Sequence, residues 1–297
     1  MASEALPAFL EPDFLKKLEQ LRVVAKRLSW SVGKGEHPSA RRGSSLEFSD
    51  YRRYHRGDDL RYVDWNIYRR LDRLLLKIFT GEEELSIYIL VDVSCSMAEG
   101  SPAKIDYAKS VAAALGYIGL KNHDKVGAGC FSSDLESHLP LGRGKKQILS
   151  LFHYLENLSC GGETDLHASA RTFALRFPRR GLVVLVSDLF DPRGCRAGLE
   201  ELLKGKYEVL VVHLLDPADL RLEQRGNVTL LDVEGERERN LFIDGELARR
   251  FHEELDHYLD ETAGFCLGHE MDYFRTMTTT PFEDFVLLYL RQGKKVR

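Results

Sequence analysis

"YILVDVSCSMAEG", residues 88–100, begins as a strand and ends in polar residues. Its first four residues are bulky, mostly apolar and strand-forming. They are followed by Asp92, Ser94 and Ser96, which occupy every second position. Because side chains two residues apart in an extended segment point the same way, one carboxylate and two hydroxyls are aimed toward one point. The stretch therefore predicts a buried strand whose tip carries an oxygen-rich site.

From Gly81 onward, the sequence alternates between strand and helix patterns. Apolar and β-branched runs predict strands at 86–93, 125–131, 182–187 and 208–215. Amphipathic periodicity predicts helices at 103–121, 144–158, 166–177 and 195–204. Later elements are predicted as strands near 228–233, 239–243 and 271–277 and helices near 246–262 and 282–292. This order predicts an α/β fold with a mostly parallel, Rossmann-like sheet flanked by helices.

Two further oxygen-rich segments accompany the predicted strands. "SCGGETDLHAS" (159–169) is a glycine-rich turn before a helix, and "LVVLVSDLFD" (182–191) is a strand that ends in aspartates. Ligands of open α/β sheets bind outside the carboxyl ends of the strands. The three segments are therefore predicted to close around one ligand. Oxygen ligands with few carboxylates suit a hard cation, above all Mg²⁺.

The pattern Asp92-x-Ser94-x-Ser96, with Thr164 after a double glycine and Asp188 at a strand end, resembles the metal-ion-dependent adhesion site of von Willebrand factor A domains. The resemblance implies that the two serines coordinate Mg²⁺, or Mn²⁺, directly. It also implies that the threonine and the two aspartates complete the shell, directly or through water. One metal position would stay open for a carboxylate of a partner protein.

This chain has a glutamate, Glu163, between the double glycine and Thr164. Many members of the resembling family have the threonine immediately after the glycines. Asp165 is therefore an alternative to Thr164 at this position.

The stretch from 48 to 97 closely resembles the bacterial domain-of-unknown-function family 58. Its hallmark is an Arg-x-Tyr-x-x-Gly-Asp-Asp-x-Arg-x-x-Asp-Trp run, here formed by Arg52, Tyr54, Gly57, Asp58, Asp59, Arg61, Asp64 and Trp65. Members are often encoded beside MoxR-type AAA+ ATPases. The resemblance implies that the partner is such an ATPase or its client, in protein assembly or metal insertion.

The first 80 residues differ in charge from the rest of the chain. They contain 16 Lys and Arg against 11 Asp and Glu, although the net charge of the whole chain is −4. They include a predicted amphipathic helix at 13–28 and an Arg/Tyr-rich segment at 51–73. We predict that residues 1–80 form a smaller appendage that packs on the main domain. Residues 81–297 are predicted to form the metal-binding domain.

The remaining composition favours a soluble cytoplasmic protein, and the resemblance to an adhesion site implies a binding module without catalytic activity. The mild net charge argues against nucleic-acid binding by the whole protein. Five widely spaced cysteines predict reduced thiols in a reducing compartment. The N-terminal sequence is not expected to be a signal peptide, and the apolar runs are too short to span a bilayer.

Two other function classes stay open. A metal-dependent hydrolase would need a general base near a Mg²⁺-bound water, and Glu163, Asp165 and Asp191 are the nearby acids in sequence. A nucleic-acid adaptor would use the arginines of segment 51–73, which are Arg52, Arg53, Arg56 and Arg61 among others. The aspartates threaded through that segment instead predict Arg–Asp pairs within the protein.

Overall fold

The computed structural model describes residues 12–32, 46–81, 85–222, 226–231 and 238–292. The chain divides into two compact units, a smaller one spanning Val32–Glu84 and a main one formed by Met1–Ser31 together with Leu85–Arg297.

Helices and strands alternate through most of the described chain. Its α-helices are α1 (Pro12–Val32), α2 (Trp65–Leu71), α3 (Lys104–Lys121), α4 (Gly144–Glu156), α5 (Leu166–Arg176), α6 (Arg196–Lys204), α7 (Gly245–Gly268) and α8 (Phe282–Gln292). Its strands are β1 (Leu46–Arg53), β2 (Leu75–Gly81), β3 (Ser86–Asp92), β4 (Lys125–Phe131), β5 (Leu135–Gly142), β6 (Leu182–Ser187), β7 (Glu208–Leu215), β8 (Gly226–Leu231), β9 (Glu238–Ile243) and β10 (Asp272–Met277). None of the described helices is long and apolar enough to cross a membrane.

The main unit is built on a six-stranded sheet with the order β10-β7-β6-β3-β4-β5. All neighbouring strands are parallel except β5, which runs antiparallel to β4 at the edge. This arrangement confirms the predicted α/β class with a mostly parallel sheet. The chain moves from β3 to β4 on one side and later to β6 on the other, so the strand order reverses at β3. Such a reversal opens a crevice at the carboxyl ends of the two central strands.

Strand β3 is central because its residues are apolar on both faces. Ile89 and Val91 pack on one face in a core with α1, α3, α4 and α8. Tyr88 and Leu90 pack on the other face in a second core with α5, α6 and α7. The helices therefore cover both sides of the sheet and leave its strand ends to carry polar groups.

The predicted N-terminal helix is present as α1, and it belongs to the main unit rather than to the smaller one. Its residues Leu18 and Leu21 are buried in the first core. Its Lys17 forms an ion pair of 2.6 Å with Glu283 of α8. The division into units thus differs from the predicted boundary at residue 80, because the apolar face of α1 is buried against the helices of the main unit.

Several elements of the structure depart from the sequence predictions. Strand β1 begins at Leu46, in a region where no strand was predicted, and residues 33–45 lie outside the described part of the chain. Strand β5 was not predicted because it is an edge strand with half-exposed residues and a proline, Pro140, which edges tolerate. Among the described strands, β8 and β9 form a separate antiparallel pair outside the main sheet.

The contact between α5 and α6 gives a stability prediction. Gly198 of α6 is buried, and a Cβ at this position would lie 2.8 Å from the backbone carbon of Leu166, the first residue of α5. Gly198→Ala is therefore expected to lower the free energy of unfolding by about 1–3 kcal/mol through overpacking. Equilibrium unfolding in urea measures this loss.

Gly264, in the exposed face of α7, provides the matched control. No described atom lies within 4 Å of a Cβ built at this glycine. Gly264→Ala should raise the free energy of unfolding by about 0.5–1 kcal/mol, because alanine favours the helix interior. An equal effect of the two substitutions would contradict the proposed close approach of α5 and α6.

Candidate functional site

The predicted metal ligands lie at the carboxyl edge of the sheet, where the strand order reverses. Asp92 is the last residue of β3, and Ser94 and Ser96 follow it into a short 3₁₀ turn. Asp188 directly follows β6, which pairs in parallel with β3 up to the partners Val91 and Val186. The parallel register thus brings the ends of these two strands side by side.

Asp92 is fully buried, and its carboxylate is held by two donors of the chain. The backbone N–H of Ser94 donates to Oδ1 at 2.9 Å, and the Ser187 hydroxyl donates to Oδ2 at 2.6 Å. Burial, followed by the negative charge of Asp188, raises the pKa of Asp92 above its usual range. Burial and the neighbouring carboxylate thus both disfavour the ionised form of Asp92.

The two serine hydroxyls face each other at the tip of β3. Ser94 is buried, and its Oγ lies 3.1 Å from Oγ of Ser96. Two adjacent ligands at right angles around Mg²⁺ are separated by about 3.0 Å, given metal–oxygen distances of about 2.1 Å. The hydroxyl pair therefore has a spacing that suits two ligands of one small, hard cation.

Thr164 is buried on a loop that is hydrogen-bonded to the β3 tip. The N–H of Gly161 donates to the carbonyl of Val93 at 2.7 Å, and the N–H of Cys95 donates to the carbonyl of Gly162 at 3.0 Å. Gly162 has a φ of +82°, which glycine adopts without strain. The double glycine thus lets the loop run directly alongside the Asp-x-Ser-x-Ser segment.

Asp165, the alternative to Thr164, is engaged at the start of α5. Its Oδ1 accepts a hydrogen bond of 2.9 Å from the N–H of Ala168, and its Oδ2 pairs with Arg193. Both carboxylate oxygens therefore have partners that belong to the helix cap and the neighbouring loop.

Asp188 is fully buried and bound by three groups of the chain. Lys104 Nζ lies 2.7 Å from its Oδ2, and the N–H of Phe190 donates to its Oδ1 at 3.2 Å. His213 Nε2 donates to its backbone carbonyl at 2.9 Å, a role assigned because a carbonyl only accepts. Burial lowers the pKa of His213 to about 4, so this imidazole is neutral. The turn after β6 is therefore held by contacts to both the side chain and the backbone of Asp188.

Lys104 is a site residue that the sequence pattern does not reveal. Its side chain is only 2 % exposed, and its ammonium lies between Asp188 and Asp219, with Asp219 Oδ2 at 3.1 Å. Burial alone would lower the pKa of Lys104, but the charges and hydrogen bonds of the two aspartates outweigh burial and raise it. One sequence signal was available, because Lys104 begins α3 and a cation opposes the dipole at a helix N-terminus.

Ser187 and Asp219 were also missed as contributors to the site. Ser187 links the ends of β6 and β3 through its bond to Asp92, and its Oγ also accepts a hydrogen bond of 2.9 Å from the N–H of Leu189. Asp219 lies on the loop after β7, and its Oδ2 accepts from the N–H of Asp216 at 2.8 Å. Their side chains position the predicted ligands and the lysine.

The donor chemistry at this edge fits a magnesium or manganese ion. The predicted ligands are all oxygen donors, and they comprise hydroxyls of Ser94, Ser96 and Thr164 and carboxylates of Asp92 and Asp188. Across the described ranges, no three His, Cys, Asp or Glu side chains form a metal-binding group, so a carboxylate- or thiolate-rich site is not seen there. In the same residues, every buried side-chain nitrogen and oxygen has a hydrogen-bond partner within the chain.

In the smaller unit, the aspartates of the Arg/Tyr-rich segment hold local structure. Asp58 forms a two-pronged ion pair with Arg52, at 2.9 and 2.7 Å, and Asp59 pairs with Arg61. Asp64 caps α2 by accepting from the N–H groups of its first turn. The predicted Arg–Asp pairing is therefore present in the structure.

Comparison with known proteins finds relatives over most of the chain. An uncharacterized protein of Mycobacterium tuberculosis strain H37Rv is 27% identical over 274 residues, which cover 90% of this chain and 82% of the relative. Among solved structures, the conserved hypothetical protein BatB from Bacteroides thetaiotaomicron matches 71% of this chain and 99% of its own, with 16% identity and a TM-score of 0.43. The VWA domain of SpRpn10 matches 69% of this chain and 94% of its own, with 12% identity and a TM-score of 0.40.

A family model described as "Protein of unknown function DUF58" matches residues 50–258. The match runs from the Arg/Tyr-rich segment through the three segments at the sheet edge and into α7. The chain therefore belongs to the DUF58 family.

Proposed function

We propose that this DUF58 protein is a non-enzymatic protein-interaction module whose sheet edge holds a divalent cation, Mg²⁺ or Mn²⁺. The observation that carries the proposal is the pair of hydroxyls of Ser94 and Ser96, 3.1 Å apart at the end of a buried strand. The residues that would hold the cation are Asp92, Ser94, Ser96, Thr164 and Asp188. When bound, the cation supplies an open position for a carboxylate.

A partner aspartate or glutamate is the group that such a site would select. The carboxylates of the chain at this edge are already engaged by its own donors, as Asp92 is by Ser94 and Ser187. Lys104 balances one of the two negative charges of Asp92 and Asp188, so a partner carboxylate would meet the remaining one unless a divalent cation offsets it. The cation would therefore make partner binding conditional.

By the family resemblance, we propose a MoxR-type AAA+ ATPase or its client as the partner. We also propose that the protein acts in the cytoplasm, since its five cysteines are free thiols and free thiols fit a reducing compartment.

Catalysis is not part of this proposal, because two of the acids considered as general bases have structural roles. Asp165 caps α5 and pairs with Arg193. Asp191 accepts hydrogen bonds from the N–H of Leu166 at 2.8 Å and of Arg193 at 2.7 Å. A general base needs a free acceptor directed at the attacking water.

The metal-binding prediction concerns the double variant Ser94→Ala/Ser96→Ala. We expect Mg²⁺ and Mn²⁺ to bind the unaltered protein saturably in calorimetric titration, and the variant to bind more than about 10-fold more weakly. The Ser94 hydroxyl also hydrogen-bonds to the buried Asp92, so thermal unfolding of the double variant checks that a loss of binding is not a loss of folding.

Ser110→Ala is the matched control, because the Ser110 hydroxyl bonds only to the carbonyl of Asp106 within α3. This variant should bind the cation like the unaltered protein. An unaltered protein that binds neither cation would contradict the proposal. Release of phosphate from a nitrophenyl phosphate by the same samples, lost in the double variant, would favour the hydrolase instead.

The partner prediction uses the same variants with a MoxR-type AAA+ ATPase from the same source. An ATPase needs Mg²⁺ for its own nucleotide, so chelation would not isolate the contribution of this site. We expect complex formation with the unaltered protein and the Ser110→Ala variant, and at least about 10-fold weaker binding by the Ser94→Ala/Ser96→Ala variant. Biolayer interferometry measures the affinity, and equal binding by all three proteins would place the contact elsewhere on the surface.

A further inference from the structure

Lys104 places a positive charge inside the candidate site. Its ammonium is buried and lies 2.7 Å from Asp188 Oδ2, and its distances to the two oxygens of Asp219 are 3.2 and 3.1 Å. The ring of Phe190 also lies 5.6 Å from the ammonium. Three carboxylate oxygens and an aromatic face therefore surround one buried cation, and one of those oxygens belongs to a predicted metal ligand.

The burial of Asp188 and Lys104 links their ion pair to metal binding. Asp188 is fully buried, so its charge requires a nearby cation or strong donors. Lys104 meets that requirement, because its buried ammonium lies 2.7 Å from Asp188 Oδ2. For Asp188 to coordinate a divalent cation, its ion pair with the ammonium of Lys104 has to weaken.

Asp219 gives the lysine a second carboxylate. Its side chain is partly exposed, at 17 %, and is anchored by the N–H of Asp216 at 2.8 Å. The lysine can therefore keep a full ion pair if its contact with Asp188 is lost. A buried ammonium has three N–H donors to satisfy, and Asp219 offers two acceptor oxygens that do not depend on Asp188.

We propose that Lys104 competes with the divalent cation for Asp188, and that Asp219 holds the ammonium when the cation is bound. The proposal rests on the proposed function, since it assigns the residue that sets the affinity of that metal site. The ammonium and the divalent cation then compete for Asp188, so a change that weakens the binding of one strengthens the binding of the other.

Two substitutions at this contact should move the metal affinity in opposite directions. Lys104→Met removes the competing charge at similar side-chain volume, and we expect Mg²⁺ and Mn²⁺ to bind about 10-fold more tightly. Asp219→Asn removes the alternative partner and leaves the ammonium on Asp188, so we expect binding about 10-fold weaker. Calorimetric titration of each purified full-length chain measures both values.

Lys109→Met tests whether the effect is specific to the contact or reflects net charge alone. Lys109 lies on the same helix, and its ammonium donates to the backbone carbonyl of Leu158 at 2.8 Å rather than to Asp188. This variant changes the net charge as Lys104→Met does, but we expect its metal affinity to stay within about 2-fold of the unaltered protein.

The buried lysine also predicts a signature in thermal unfolding. In chelator, Lys104→Met should melt well below the unaltered protein, because it leaves Asp188 buried without its cation. Added Mg²⁺ should raise its melting temperature by more than it raises that of the unaltered protein. If Lys104→Met does not fold in the presence of chelator, the calorimetric titration of Asp219→Asn tests the proposal alone. Metal binding by Asp219→Asn that is unchanged or tighter overturns the proposal.

The outcomes separate this inference from the proposed function. Metal binding by Lys104→Met but not by the unaltered protein would support the competition and overturn metal binding as the native function. Binding by the unaltered protein with equal affinities in Lys104→Met and Lys109→Met would overturn the competition and leave the metal site standing. Absence of binding in all variants would overturn both.

Discussion

The carboxylates of Asp92 and Asp188 are fully buried at the ends of neighbouring parallel strands, and the surrounding structure is arranged to hold them. Removing a carboxylate from water costs several kcal/mol even after relaxation, so two adjacent ones need donors and cations of their own. Ser187 and the N–H of Ser94 donate hydrogen bonds to Asp92, and Lys104 forms an ion pair with Asp188. Each of these groups comes from a different part of the fold, which ties the loops of the sheet edge together.

The sheet topology explains why this charge lies at one place. Strand β3 is the point at which the strand order reverses, so the loops after β3 and β6 diverge to opposite sides and leave their tips open. The glycines at 161 and 162 then bring a third loop against Val93 and Cys95 by two backbone hydrogen bonds. Apolar packing on both faces of β3 fixes the position of the strand end that carries these polar groups.

The sequence was sufficient to predict the α/β class and the meeting of the oxygen-rich segments at one sheet edge, because strand ends and glycine turns follow short-range patterns. Asp92, Ser94 and Ser96 lie within five residues at a strand end, and period-two spacing makes their shared direction visible. Lys104 could not be found this way, because its partners lie 84 and 115 positions away and its burial depends on them. Strand β5 was missed for the related reason that an edge strand gains its structure from pairing with β4 rather than from an apolar pattern of its own.

A site that carries its own cation differs physically from a structural metal site. Structural zinc sites often fold only with the metal, because their ligands have no other partners. Here the ammonium of Lys104 satisfies Asp188, and Asp92 is satisfied by donors of the chain, so the sheet edge is complete without a metal ion. Metal binding would then contribute little to folding and would exchange one internal ion pair for coordination. The metal affinity would then depend on the difference between the free energies of these two states, and not on the strength of coordination alone.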